Sequence, residues 1–166
     1  MPWYFAYGSN MNPARVAARI GPVRRSLAGV LHDHALRFDK ASRVAGIAHA
    51  NVAPVQGERV EGALFELEHA GQIRHMDPFE GYPDEYDRHR LPVVTHEGSI
   101  DAWVYIAAPG TTAAALRPAR EYLEHLLAGE AFLSAAYHAR LSAVEAVAGL
   151  DEATLAALGL SRDTPR

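Results

Sequence analysis

Seven short strand-like runs crowd the first two-thirds of the chain: WYFAY, RRSLAGVLHD, HALRFDK, GIAHANV, RVEGALFELE, YDRHRLPVVTHE and SIDAWVYIAA. Turn formers such as APVQGE separate several of them. Parallel neighbours would need long crossovers, so strands this close in sequence predict a small, mostly antiparallel, strongly curved sheet or barrel. HAGQIRHMDPFEG reads as one short helix placed between two strands. After residue 110 the pattern changes. Leu116, Tyr122, Leu123, Leu126 and Leu127 recur at helical spacing, and FLSAAYHARLSAVEAV continues with a second helical pattern. The fold class is therefore α+β, a β-barrel with peripheral helices. Residues 1–149 form one domain and residues 150–166 a short tail whose SRDTPR end is frayed.

The opening of the chain is the exception among its turns. YFAY breaks off into Gly8-Ser9-Asn10, and NPARVAARIG follows as a helix, with Asn12 as N-cap, Pro13 at the first helical position and Gly21 as the stop. A strand–glycine–helix junction can gather backbone N–H groups into an anion nest, helped by the helix N-terminus. The loop lacks the residues of a phosphate-binding or dinucleotide fingerprint, so a carboxylate or an oxyanion suits it better than a pyrophosphate. A bare Gly-Ser-Asn is more often an ordinary turn.

Composition removes several chemistries. With no cysteine there is no disulfide, no thiolate metal site and no cysteine nucleophile. Lys40 is the only lysine, a narrow base for Schiff-base chemistry. A net charge of −4 gives no reason to expect nucleic acid as a partner. No apolar run approaches the ~20 residues of a membrane span, and no basic region leads into one at the N-terminus, so a cytoplasmic location is expected. His32 and His34 would share one face of a strand and could offer two metal ligands, but no spacing singles out a third.

Between Asp77 and Asp87 stand five carboxylates. Most such clusters are solvated loops. Glu80 differs, because Phe79 and Gly81-Tyr82-Pro83 flank it, and an acid among aromatics is desolvated and shifted toward the range useful for proton transfer. Tyr105 and Tyr122 lie in apolar patterns that by default make them core residues with a satisfied hydroxyl.

Together and in this order, the elements resemble the γ-glutamylcyclotransferase (AIG2-like) family. The carriers are YGSN after the first strand, AGIAHANV, RVEGALFELE, MDPFEG in place of the family's L-D-x-x-E-G, and the closing LRPAREYLEHLLAGEAFLSAAYHARL, across roughly residues 3 to 141. The resemblance implies a small β-barrel with peripheral helices. It also implies cyclisation of a γ-glutamyl amide to 5-oxoproline with release of an amine or amino acid. It assigns substrate binding to Tyr7, Gly8, Ser9, Asn10 and Met11, acid–base catalysis to Glu80, and substrate contact to Tyr122. Tyr86 and Tyr105 also match family tyrosines. No metal or other cofactor is implied, and the partner is a small γ-glutamyl substrate bound by a monomer or homodimer. Three other readings remain: a specialised γ-glutamyl-amine cyclotransferase, a binding module of the same fold without turnover, and a metal-dependent enzyme using His32 and His34.

Overall fold

A computed structural model describes residues 2–161. The first strand, β1 (Trp3–Ala6), is buried along its whole length, as an apolar run with no alternation requires. Two long strands follow the first helix: β2 (Arg25–Ala41) and β3 (Ile47–Glu66). They run antiparallel from Arg25↔Glu66 to Ala41↔Ala48. β4 (Tyr86–Thr95) and β5 (Gly98–Ala107) form a second hairpin. Val30↔Val94 joins β2 to β4, Tyr4↔Trp103 joins β5 to β1 in parallel, and β1 pairs antiparallel with β3 from Trp3↔Glu66 to Ala6↔Ala63. The ring β1-β5-β4-β2-β3 thereby closes on itself, with one parallel seam, and leaves none of its five strands as a bare edge. A two-residue strand, β6 (Arg117–Pro118), lies parallel to the outer end of β3.

The expected break at APVQGE is a corner inside β3 and not a turn between strands. Asp33 (φ 58°) and Gly57 (φ 86°) both enter the left-handed region, and the Gly57 N–H donates to Asp33 Oδ1 at 2.9 Å. That bond lets both strands bend without ending, which is the usual work of a β-bulge. The same bulge interrupts the alternation on which a shared face for His32 and His34 depended, since the register shifts between them. Among the described residues, no group of three His, Asp or Glu side chains is gathered to hold a metal ion.

Helix α1 (Pro13–Ile20) begins where its caps predict: Asn12 Oδ1 accepts from the Ala14 N–H at 3.1 Å, and Gly21 (φ 86°) follows its last residue. α2 (Ile73–Glu80) packs Ile73 and Met76 inward and ends at the left-handed Gly81. α3 (Arg120–Leu127) buries Tyr122, Leu123 and Leu126. α4 (Ala135–Ser142) is capped by Ser134, whose N–H and hydroxyl both donate to the buried carboxylate of Glu61. α5 (Glu152–Ala157) lies in the segment expected to be a tail, yet Leu155, Leu158 and Leu160 are buried within the main core. The expected fraying falls largely on residues 162–166, outside those described. No helix among the described residues is long and apolar enough to cross a membrane.

Phe5 fills the barrel interior. It is fully buried, worth roughly 1.5–3 kcal/mol in area removed from water, and it fits because the paired Gly29 and Gly62 leave it room. A Cβ at Gly62 would lie 2.3 Å from the Ala6 carbonyl oxygen and 2.9 Å from the Phe5 ring. β1 can therefore approach β3 at this point only because residue 62 has no side chain.

Candidate functional site

At the end of β1 the chain passes through Tyr7 and Gly8 into a single 3-10 turn, Ser9–Met11. Within the turn the Met11 N–H donates to the Gly8 carbonyl at 3.0 Å, and the Asn12 N–H to the Ser9 carbonyl at 3.3 Å. Met11 is fully buried, its side chain lies against Gly129, and it is not among the residues that line the cleft. Tyr7, Gly8, Ser9 and Asn10 instead line one wall of a cleft of about 590 Å³, counted with its open mouth. The backbone at Gly8 has φ −108°, outside the left-handed region. Glycine is needed here for space: a Cβ would sit 2.9 Å from the Tyr122 hydroxyl and 3.3 Å from Ala50 Cβ.

Glu80, the last residue of α2, faces this loop across the cleft. The Asn10 amide donates to Glu80 Oε1 at 3.2 Å and to the Tyr4 hydroxyl at 2.9 Å, with Met76 Sδ at 3.3 Å. Arg19 Nη1 in turn donates to Asn10 Oδ1 at 3.3 Å, which orients the amide so that its NH₂ points at Glu80. Part of the Glu80 side chain stays open to the cleft, and protein encloses the rest of the carboxyl. Burial raises its pKa above the usual carboxylate range, against the opposing pull of Arg19, Arg15, the Asn10 hydrogen bond and Lys40.

Aromatic side chains form much of the remaining lining. Ala50 of β3 lies between two of them: its N–H donates to the Tyr122 hydroxyl at 2.9 Å, and its carbonyl accepts from the Tyr86 hydroxyl at 2.6 Å. The Tyr7 hydroxyl donates to the Tyr105 carbonyl. Burial, with Glu80 nearby, pushes the Tyr122 phenol up to about 12 and raises those of Tyr7 and Tyr86 well above their ordinary value. All three are held as neutral phenols at neutral pH. The Tyr105 hydroxyl turns away from the loop and donates to Asp77 Oδ1 at 2.6 Å. Asp77 also receives a two-pronged bond from Arg88, at 2.9 and 3.1 Å, and the Arg88 guanidinium stacks against Tyr82 and Trp103. This cluster ties the helix that carries Glu80 to the β4–β5 hairpin.

Tyr7, Gly8, Ser9, Asn10, Glu80, Tyr86, Tyr105 and Tyr122 thus converge on one cleft, and Met11 does not. Arg15, Arg19, His49 and Leu158 line it too, although no sequence motif assigns them there. Arg15 and Arg19 stand four apart on α1, a spacing that puts them on one helix face directly after the loop. That signal is readable. His49 carries none: it follows no motif, yet its ring lies 5.2 Å from that of Tyr122, and burial, with Lys40 and the arginines nearby, lowers its pKa to about 4. Leu158 comes from the segment expected to be a tail.

The described residues form a closed five-stranded barrel with a cleft between the loop after its first strand and the end of an inserted helix. The chain belongs to the gamma-glutamyl cyclotransferase, AIG2-like family, whose model matches residues 4–126. It is similar in structure to a gamma-glutamyl cyclotransferase (TM-score 0.78, 23% identity, 90% of each chain). It is also similar to an uncharacterized protein from Homo sapiens (TM-score 0.77, 24% identity, 90% of each chain). A third structure, a gamma-glutamyl cyclotransferase specific to glutathione from yeast, is more distant (TM-score 0.59, 13% identity, 84% of this chain and 93% of that one). At these identities the likeness is one of fold. No curated protein matches the chain in sequence.

Proposed function

We propose that this chain is a γ-glutamyl cyclotransferase: it closes the glutamyl part of a γ-glutamyl amide to 5-oxoproline and releases the amine, with Glu80 as general acid and base. The observation that carries the reading is the pairing of Glu80 with Asn10 across the cleft, a desolvated carboxylate held 3.2 Å from the amide of the Tyr7–Asn10 loop.

The chemistry needs little more. The substrate's α-ammonium gives a proton to the Glu80 carboxylate, and the freed amine attacks its own γ-carbonyl. A C–N bond forms, the carbonyl becomes a tetrahedral oxyanion, and Glu80 returns the proton to the leaving nitrogen as the old C–N bond breaks. The ring nitrogen gives its second proton to the freed carboxylate, which passes it to the released amine, leaving a neutral lactam and an ammonium. Attack within one molecule already has a high effective concentration, so the main task is to fold the glutamyl chain into a reactive shape. The loop suits that task. No hydrogen bond among the described residues uses the N–H of Gly8 or Asn10, and either can meet a carboxylate or the oxyanion. A carboxyl with a raised pKa both accepts and returns a proton near neutral pH more readily than an ordinary one. The arrangement also favours turnover over a binding module, which would have no need of a desolvated acid.

The test is to incubate the protein with γ-glutamyl amino acids, γ-glutamyl amines and glutathione, and to measure 5-oxoproline. Release from at least one of them supports the reading. No release from any member of the panel, with the fold intact, overturns it.

A further inference from the structure

The family match ends at residue 126, yet one residue of the cleft lining, Leu158, comes from beyond it. Asp151 caps α5 by accepting from the Thr154 N–H at 2.8 Å. The helix is closed by the left-handed Gly159 and by the Leu160 N–H donating back to the Leu155 carbonyl at 2.8 Å. Leu155 and Leu160 are each 4% exposed and Leu158 between them 7%, all three in the core, and of the three Leu158 also lines the cleft. A side chain held on both sides in this way does not swing aside at low cost.

The segment also touches the two arginines of α1. The Gly159 carbonyl accepts from Arg15 Nη1 at 3.1 Å, and a Cβ at Gly159 would lie 3.9 Å from Nη2 of both Arg15 and Arg19. Arg19 in turn lies over the Phe79 ring, 4.7 Å from its centroid. Leu158, Arg15, Arg19 and Phe79 therefore make a continuous strip, with two guanidinium groups between two apolar side chains. Neither arginine forms a salt bridge among the described residues, and Arg15 Nε is buried with no hydrogen-bond partner. Burial, with Arg19 nearby, lowers the Arg15 pKa to about 10, against the opposing pull of Glu80.

If the glutamyl part occupies the loop and Glu80, this strip is what the group across the γ-amide bond meets. We propose that residues 151–160 form a specificity wall, in which Leu158 selects leaving groups with an apolar side chain while the adjacent guanidinium groups exclude cationic ones. The inference rests on the cyclotransferase reading and deepens it.

The experiment is to measure kcat/KM for γ-glutamyl-alanine, γ-glutamyl-phenylalanine and the γ-glutamyl amide of a diamine, with wild type, Leu158→Ala and Leu158→Phe. In wild type the diamine derivative should be the poorest of the three. The phenylalanine-to-alanine ratio should rise about tenfold in Leu158→Ala and fall by a similar factor in Leu158→Phe, the scale expected for a few methylenes in an apolar pocket. A purely structural role would lower all substrates together and leave the ratio in place, and that outcome overturns the inference while the cyclotransferase reading stands. A best substrate that is cationic overturns it too. Absence of 5-oxoproline from wild type with every substrate defeats both. Should Leu158→Ala not fold, Leu158→Phe and Leu158→Met carry the comparison alone.

Discussion

At the scale of single residues, two positions give sharp tests. Glu80→Gln keeps the shape and loses the proton shuttle, so kcat should fall about 10²–10⁴-fold. The same change should raise the thermal midpoint. Burial raises the Glu80 pKa, so its ionised form is disfavoured in the folded state at neutral pH, and a neutral amide removes that cost. By the same sign, stability carried by this group grows as pH falls through its raised pKa, while turnover is lost there because the base is protonated. A variant with more than half of wild-type activity ends the assignment, and a lowered midpoint ends the account of its burial. The second position is Gly8. Its constraint is the Tyr122 hydroxyl at 2.9 Å, so Gly8→Ala should impair turnover in wild type and far less in a Tyr122→Phe background, where that atom is gone. A double-mutant cycle should give a coupling of roughly 0.5–3 kcal/mol, and strictly additive effects would show that the close approach is unimportant.

At the scale of elements, the segment between α2 and β4 has a structural anchor that its sequence conceals. Among the acids of that segment, Glu85 looks like a neutral control for Glu80. In the fold it receives a bond from Lys40 at 2.7 Å, and Lys40 is only 3% exposed, close to the Tyr86 ring. Glu85→Gln therefore leaves a buried ammonium with a weaker partner. It should cost about 1–2 kcal/mol, at the lower part of the range for charged hydrogen bonds because Glu85 itself is mostly exposed. Urea denaturation of Glu85→Gln beside the double variant Lys40→Met/Glu85→Gln checks this: the double variant should recover stability, and a further loss would contradict the account.

The whole molecule depends on ring closure and on the burial of titratable groups around the cleft. Closure is most exposed at Gly62, where an added Cβ meets backbone and not a flexible side-chain tip. Gly62→Ala should destabilise the barrel by about 3 kcal/mol or more, beyond an ordinary core substitution, because β1 and β3 must separate at their seam. Near-wild-type stability in that variant would mean the seam is more pliant than its geometry. That burial shows in pH. His49 stays neutral in the fold down to about 4, whereas an unfolded histidine gains its proton near 6.5. Between these values the unfolded state binds more protons, so stability falls as the solution is acidified, by at most about 3.5 kcal/mol for this group. The slope of stability against pH should flatten between 6.5 and 4 in His49→Gln, and an unchanged slope would assign the acid sensitivity elsewhere.

Local chemistry is legible along the chain itself. Asn12, Pro13 and Gly21 bound α1, Gly81 ends α2, and the alternation of SIDAWVYIAA marks β5, because caps, left-handed turns and periodicity act within a few residues of chain. The order YGSN, then E-G, points to the family for the same reason: each is a compact local element. Other features depend on distance in sequence. Asn10 meets Glu80 across seventy positions, Arg15 meets Gly159 across 144, and Met11 turns inward because α3 and its closing Gly129 pack against the loop. APVQGE has every local mark of a turn and is a corner, since continuous pairing with β2 on both sides outweighs the preference of its residues. Sequence alone determined most of the elements and where many of them begin, but not α5 or the continuity of β2 and β3. Barrel closure decided which side chains share a cleft, because ring pairing and core burial are set by strands far apart in the chain, and no local preference encodes where those strands meet.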